Sequence, residues 1–196
     1  MRKIALGAIG AMTVILTTAA CAGSYGGGTH KMGMKPMMAP FGGPEDTAYA
    51  AKLWSSLKER HLVGDGAIMS APYTGTHPHG AILDTIDART QVGGDEGPVI
   101  IKRNYGGKDV SKMNVANNPK KYLKAITVMF KRNGYDPEDK DWFWVKFAPD
   151  GSVLKNPKGM ALAGRVAKGM PKGCIACHKG APGGDMVFNH NRYANY

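Results

Sequence analysis

"YLKAITVMFKRNGYDPEDKDWFWVKFA", residues 122–148, decides the fold. Two runs rich in branched and aromatic side chains, 122–131 and 141–148, flank a stretch of Asn, Gly, Asp and Pro that supplies a turn. Successive side chains on a strand point to opposite faces. Ala125, Thr127 and Met129 therefore face one way, and Ile126, Val128 and Phe130 the other. Both sets carry apolar groups, so both faces are expected to be at least partly covered. Trp142 and Trp144 share a face by the same period and are expected to pack in the core or beside a bound group.

Working outward, "GPVIIKRNY" (97–105) and "HGAILDTIDA" (79–88) have the same strand-like composition, and "APDGS" (148–152) adds a further turn. Consecutive strands without long helices between them predict an antiparallel sheet. Upstream, Gly43 and Pro44 followed by Glu45 and Asp46 mark a helix start, with proline in the first turn and acids at the positive end of the dipole. Ala50, Leu53, Trp54, Leu57 and His61 then recur at helical spacing until "HLVGDG" closes the element.

Residues 22–43 are dominated by Gly, Met and Pro and read as a flexible linker. His30, Met32, Met34, Met37 and Met38 are soft enough for copper(I), but no spacing among them is distinctive, and the linker reading is preferred. Residues 1–21 place Arg2 and Lys3 before an apolar run and then small residues, the layout of a secretory signal peptide. The small residues lead into Cys21, as in a bacterial lipobox, although Thr18 stands where leucine is usual. Lipidation of Cys21 and ordinary cleavage near Ala20 or Ala22 both lead to export, and the first predicts a lipid-anchored periplasmic protein. The formal charge of +11 favours acidic partners. The basic residues are scattered rather than interleaved with aromatics, so nucleic acid is not an expected partner.

"GCIACHKG", residues 173–180, carries the chemistry. Two thiols three apart with a histidine directly after them suit covalent haem: Cys174 and Cys177 reach the two vinyl groups, and His178 falls under the iron. A structural zinc site wants four ligands, and a second paired set is absent. A thioredoxin-like pair needs a βαβ context, and a bare disulfide has no need of His178. The motif also comes late. Met186 and His190 follow His178 too closely to swing round a porphyrin easily, although Met160 or Met170 could approach from upstream. A five-coordinate iron with an open face for a small molecule is the expectation. The expected architecture is α+β, mainly antiparallel sheet with an N-terminal helix and a C-terminal haem-attachment segment, over residues 44–196.

The blocks "GPVIIKRNY", 126–154, "AGRVAKG" (163–169) and "GCIACHKGAPGGDMVF" (173–188), in that order, resemble the cytochrome P-460 family. The resemblance implies a mainly β fold and one covalent haem c per chain, attached through Cys174 and Cys177 with His178 as proximal ligand. It implies hydroxylamine oxidation or binding of nitric oxide, while the related β-sheet cytochromes c-prime bind nitric oxide or carbon monoxide. Lys102 matches the family's lysine cross-linked to the porphyrin, though a strand lysine also serves to discourage edge pairing. The distal carboxylate of the catalytic members has no counterpart in residues 122–130, which contain no Asp or Glu. Nitric oxide binding with slow hydroxylamine oxidation is therefore expected. A plain electron-transfer cytochrome and a non-haem lipoprotein are the alternatives.

Two further stretches complete the reading. His77 and His79 in "THPHG" read as a turn rather than a metal site, because no third ligand follows at a suitable spacing. Lys155, Lys158, Arg165, Lys168, Lys172 and Lys179 read as a solvated basic segment, or as a docking rim for an acidic redox protein.

Overall fold

The computed structural model describes residues 40–188. The segment read as a signal peptide and lipobox with Cys21, residues 22–39 of the expected linker, and His190 lie outside them. Helix α1 (Pro44–Glu59) leads into a sheet of six strands: β1 (Tyr73–Thr74), β2 (Ile82–Val92), β3 (Asp95–Tyr105), β4 (Leu123–Lys131), β5 (Trp142–Phe147) and β6 (Ala163–Gly164). Short helices α2 (Lys112–Asn117) and α3 (Pro119–Tyr122) precede β4, and α4 (Cys174–His178) carries the cysteine motif. The strands lie side by side in chain order, every pair antiparallel. No helix among the described residues is long and apolar enough to cross a membrane.

Period two divides the sheet as the sequence implies. Val99 and Ile101 of β3, Ile126, Val128 and Phe130 of β4, and Phe143, Val145 and Phe147 of β5 pack beneath α1, whose Ala50, Leu53 and Leu57 are buried against them. Each such leucine or phenylalanine contributes roughly 1.5–3 kcal/mol of transfer free energy. The opposite face buries Met129, Trp142 and Trp144 against Phe41, Val166, Ala167, Ile175 and Met186. Packing begins ahead of Pro44: Phe41 is buried, and the Gly42 N–H donates to Ala163 O and to the Asp46 carboxylate.

Boundaries differ from expectation where side-chain pattern alone could not decide them. β2 begins at Ile82 rather than His79 and runs on to Val92, because its partner β3 extends back to Asp95 across the Gly93–Gly94 turn. Residues 79–81 are left in the loop before it. The strands β1 and β6 are two residues each and carry too little pattern to be read. Helices α2 and α3 rest on capping: Ser111 Oγ accepts from Asn114 N, and Asn118 Oδ1 accepts from Lys121 N ahead of Pro119.

Between β2 and β3 lies a buried ion pair. Asp84 and Arg103 are cross-strand partners, and Arg103 Nη1 donates to Asp84 Oδ1 at 2.8 Å with both side chains almost fully enclosed. Arg103 Nη2 donates to the carbonyls of Leu62 and Ile68, which fixes the loop after α1. Tyr105 donates its hydroxyl to Asp84 Oδ2 at 2.6 Å.

Candidate functional site

The sheet face away from α1 lines a cavity of about 590 Å³. The antiparallel register sets Lys102 opposite Thr127, and Thr127 opposite Lys146. The next row aligns Ile100, Met129 and Trp144. Both rows reach the cavity wall. Of the strand 123–131, Thr127, Val128 and Met129 line it, so the strand contributes one hydroxyl beside its apolar side chains and, as its sequence implies, no carboxylate. The Thr127 hydroxyl donates to Lys102 O. No Asp or Glu stands among the lining residues.

Helix α4 closes the opposite side. Ile175, buried in the cluster with Trp142 and Trp144, pins it to the sheet. Gly173 starts it at φ 138°, and a Cβ there would lie 2.3 Å from the Ala167 Cβ, so glycine is required on both counts. Cys174 and Cys177 both line the cavity as free thiols, and burial pushes the Cys174 thiol up. The ring of His178 stands edge-on to Trp144 at 4.8 Å and to Phe188 at 5.3 Å between ring centres. Its Nδ1–H donates to Met186 O at 2.7 Å, which leaves the Nε2 lone pair for a metal. Burial, opposed by that hydrogen bond, pushes the His178 imidazole below its ordinary range, favouring the neutral ring a ligand must be. Lys179, immediately after, lies 2.8 Å from the fully buried Asp139, an ion pair by distance that lacks hydrogen-bond alignment.

These features fit a haem. The cavity falls within the size range of cofactor sites. The motif's three side chains open onto one space, and the buried Trp144 Nε1–H in the wall has no partner among the described residues. Among those residues no three His, Cys, Asp or Glu side chains converge to hold a bare metal ion. Met160, Met170 and Met186 are not among the lining residues, so none of these methionines faces the space where the iron would sit.

His79, which the sequence presents as part of a turn, also belongs to the site. The loop 76–79 folds over the cavity, and His79 faces His178 with ring centres 6.3 Å apart and planes at 86°. Its Nδ1 lies 3.0 Å from Asn104 Oδ1. Asn104 Nδ2 donates to Lys102 O, Ala125 O and Thr127 Oγ1, so its oxygen is the atom turned to His79, and His79 Nδ1 carries the proton. Burial, with Lys102 nearby, pushes the His79 imidazole down to about 4. Period two puts Asn104 on the same face as Lys102, a signal present in the sequence. The loop's return over the sheet is not.

Part of the basic segment is already paired. Lys168 meets Asp136 and Glu138, Arg165 meets Asp136, and Lys179 meets Asp139, all on the turn between β4 and β5. Three of the six charges proposed as a rim are thus compensated within the chain.

A family model described as Cytochrome P460 matches residues 81–189, which takes in β2 through the cysteine motif. Among curated proteins and among solved structures nothing matches this chain.

Proposed function

This chain belongs to the cytochrome P460 family, and from that premise we propose that it is an exported c-type haem protein that binds nitric oxide or a related small nitrogen species at iron. Cys174 and Cys177 would hold one haem through thioethers, and His178 would hold the iron from below. With its other face open, the iron would be five-coordinate. The haem supplies the iron and its electrons. The chain supplies an enclosed wall, a neutral imidazole ligand and a hydrogen bond from His178 to Met186 O that orients the ring.

The observation that carries this reading is the composition of the cavity wall. It joins the motif's histidine to a largely apolar lining that carries Lys102 and Lys146 but no Asp or Glu, so a small neutral ligand would meet no carboxylate there. Hydroxylamine oxidation, the second reading, draws on Lys102, which lines the same cavity and would be the residue bonded to a porphyrin edge. The wall offers no carboxylate for proton removal from hydroxylamine, so that task would fall to His77 or His79 of the covering loop, and a positioned base typically contributes a hundredfold or more. Export would follow from residues 1–21, with a lipid on Cys21 holding the protein at the periplasmic membrane surface. An acidic redox partner would meet Lys155, Lys158 and Lys172. Titration of the reduced holoprotein with nitric oxide, followed by absorption spectroscopy, tests the proposal. A stoichiometric spectral change is expected, and a spectrum indifferent to nitric oxide refutes it.

A further inference from the structure

Helix α4 is five residues long, too short to hold its place by its own hydrogen bonds. Its position therefore comes from contacts outside it. Toward its start, Ile175 is buried with Trp142 and Trp144, and Gly173 packs on Ala167. At its end, His178 Nδ1 meets Met186 O at 2.7 Å, and Lys179 Nζ lies 2.8 Å from Asp139 Oδ1. We propose that Asp139, on the turn between β4 and β5, is a positioning residue for His178 and acts through Lys179. The inference rests on the haem reading above and adds to it a residue outside the cavity wall. Three observations carry it.

The first is the link to the ligand. The Lys179 N–H donates to Ile175 O at 2.9 Å, so Lys179 belongs to the same helical turn as His178. Whatever fixes the Lys179 side chain also restrains that turn.

The second is the state of the acid. The Asp139 side chain is fully buried, and neither of its oxygens has an aligned hydrogen bond among the described residues. A buried carboxylate is costly unless opposite charge compensates it. Here that charge comes from Lys179 at 2.8 Å and Lys168 at 3.6 Å. The turn itself closes without the Asp139 carboxylate: the N–H groups of Asp139 and Asp141 donate to Asp136 O, and the Asp136 N–H donates to Asp141 Oδ1. Lys140 and Asp141 both stand at φ 60°, a conformation that non-glycine residues keep only where their surroundings hold them. The acid is thus explained by the lysines it gathers, since it does not cap its own turn.

The third is the placement of those lysines. Lys168 precedes the cysteine motif and Lys179 follows it, and the two converge on Asp139 from opposite sides of α4. The upstream arm has further partners, because Lys168 also meets Asp136 and Glu138, and Arg165 meets Asp136. The downstream arm depends on Asp139. Loss of this one pair should therefore loosen the end of α4 that carries His178 while the arm before it stays held.

The test reads the proximal bond and uses no turnover. Resonance Raman spectra of the ferrous holoprotein contain an iron–histidine stretching band that responds to the tilt and strength of that bond. Lys179→Met, which alters a side chain more than half exposed, is expected to shift and broaden the band, and Asp139→Asn to shift it the same way. Combining the two should add nothing further, because both remove one interaction. Lys179→Arg keeps the charge and should keep the wild-type band. Glu138→Gln, which removes an exposed partner of Lys168 but leaves the Asp139 pair, should leave it in place as well. If Asp139→Asn fails to fold, Lys179→Met and Lys179→Arg carry the comparison. A band unmoved in Lys179→Met, even with a lowered urea midpoint, gives the pair a structural role only and overturns the inference; so does an equal shift in Glu138→Gln. Either result leaves the haem reading intact. A wild-type chain without covalent haem by mass overturns the haem reading and this inference with it.

Discussion

Removing the Asp84 carboxylate should cost about 3–5 kcal/mol, because it strands a buried guanidinium. Asp84 is fully enclosed and accepts from Arg103 Nη1 at 2.8 Å and from the Tyr105 hydroxyl at 2.6 Å. In Asp84→Ala, Arg103 keeps only the Leu62 and Ile68 carbonyls as partners, and those neutralise no charge. Asp84→Asn keeps the volume but points an amide toward two donors, so a smaller loss of about 1–3 kcal/mol is expected. Replacing the whole pair, Asp84→Leu with Arg103→Met, removes the stranded charge. It also orphans the two loop carbonyls, at about 1–3 kcal/mol each, so the double variant should remain less stable than wild type. Urea unfolding of the holoprotein, with the midpoint shift converted at constant slope, measures each value. A domain of this size has only about 5–15 kcal/mol in total, so Asp84→Ala should shift the midpoint by a large fraction. A loss under about 1 kcal/mol for Asp84→Ala would show that the guanidinium finds water or another anion, and would refute the reasoning.

Other outcomes follow from the site itself. Cys174→Ala and Cys177→Ala should each leave a single thioether, detected as weaker haem retention after acid extraction and by intact mass. His178→Ala should keep the thioethers but lose the native ligand, so a wild-type-like ferrous spectrum in that variant would mean that another residue holds the iron. If Lys102 is cross-linked, a proteolytic digest will contain a porphyrin-bearing peptide that includes it, and Lys102→Arg will abolish that species; robust hydroxylamine turnover together with this peptide would favour the enzymatic reading. Gly173→Ala meets both a positive φ and a 2.3 Å approach to Ala167. It should cost about 1–3 kcal/mol and lower the yield of holoprotein.

The strand core was legible because it rests on local chemistry. Alternation in residues 125–130 and the turn residues of 132–141 fix which side chains go under α1 and which face the cavity, and the structure follows that division. Cys174, Cys177 and His178 could be named as candidates because a five-residue motif fixes their mutual spacing before any tertiary contact forms. His79 could not, because its position depends on a loop crossing the sheet and meeting Asn104, which is 25 positions away in the chain. The buried Asp139 beside Lys179 was missed for the same reason: an acid in a turn reads as solvated until the segment that carries the cysteine motif closes over it.

Stability and chemistry are coupled here by the pleat. On β3 the anchored Arg103 shares the face that packs under α1, while its neighbours lie on the other face, Lys102 in the cavity wall and Asn104 against His79. A one-residue slip of this strand would exchange the two sets, sending Arg103 to the cavity side and removing both Lys102 and the hydrogen-bond acceptor of His79. Two features oppose such a slip: the Asp84–Arg103 pair fixes β3 against β2, and the Asn104 amide fixes it against β4 through Ala125 O and Thr127 Oγ1. The irregularity in the β3–β4 pairing falls at Asn104 and Tyr105, where the ladder alone holds register least well. Side-chain hydrogen bonds from those same residues, Asn104 to β4 and Tyr105 to Asp84, supply the missing constraint at the point nearest His79.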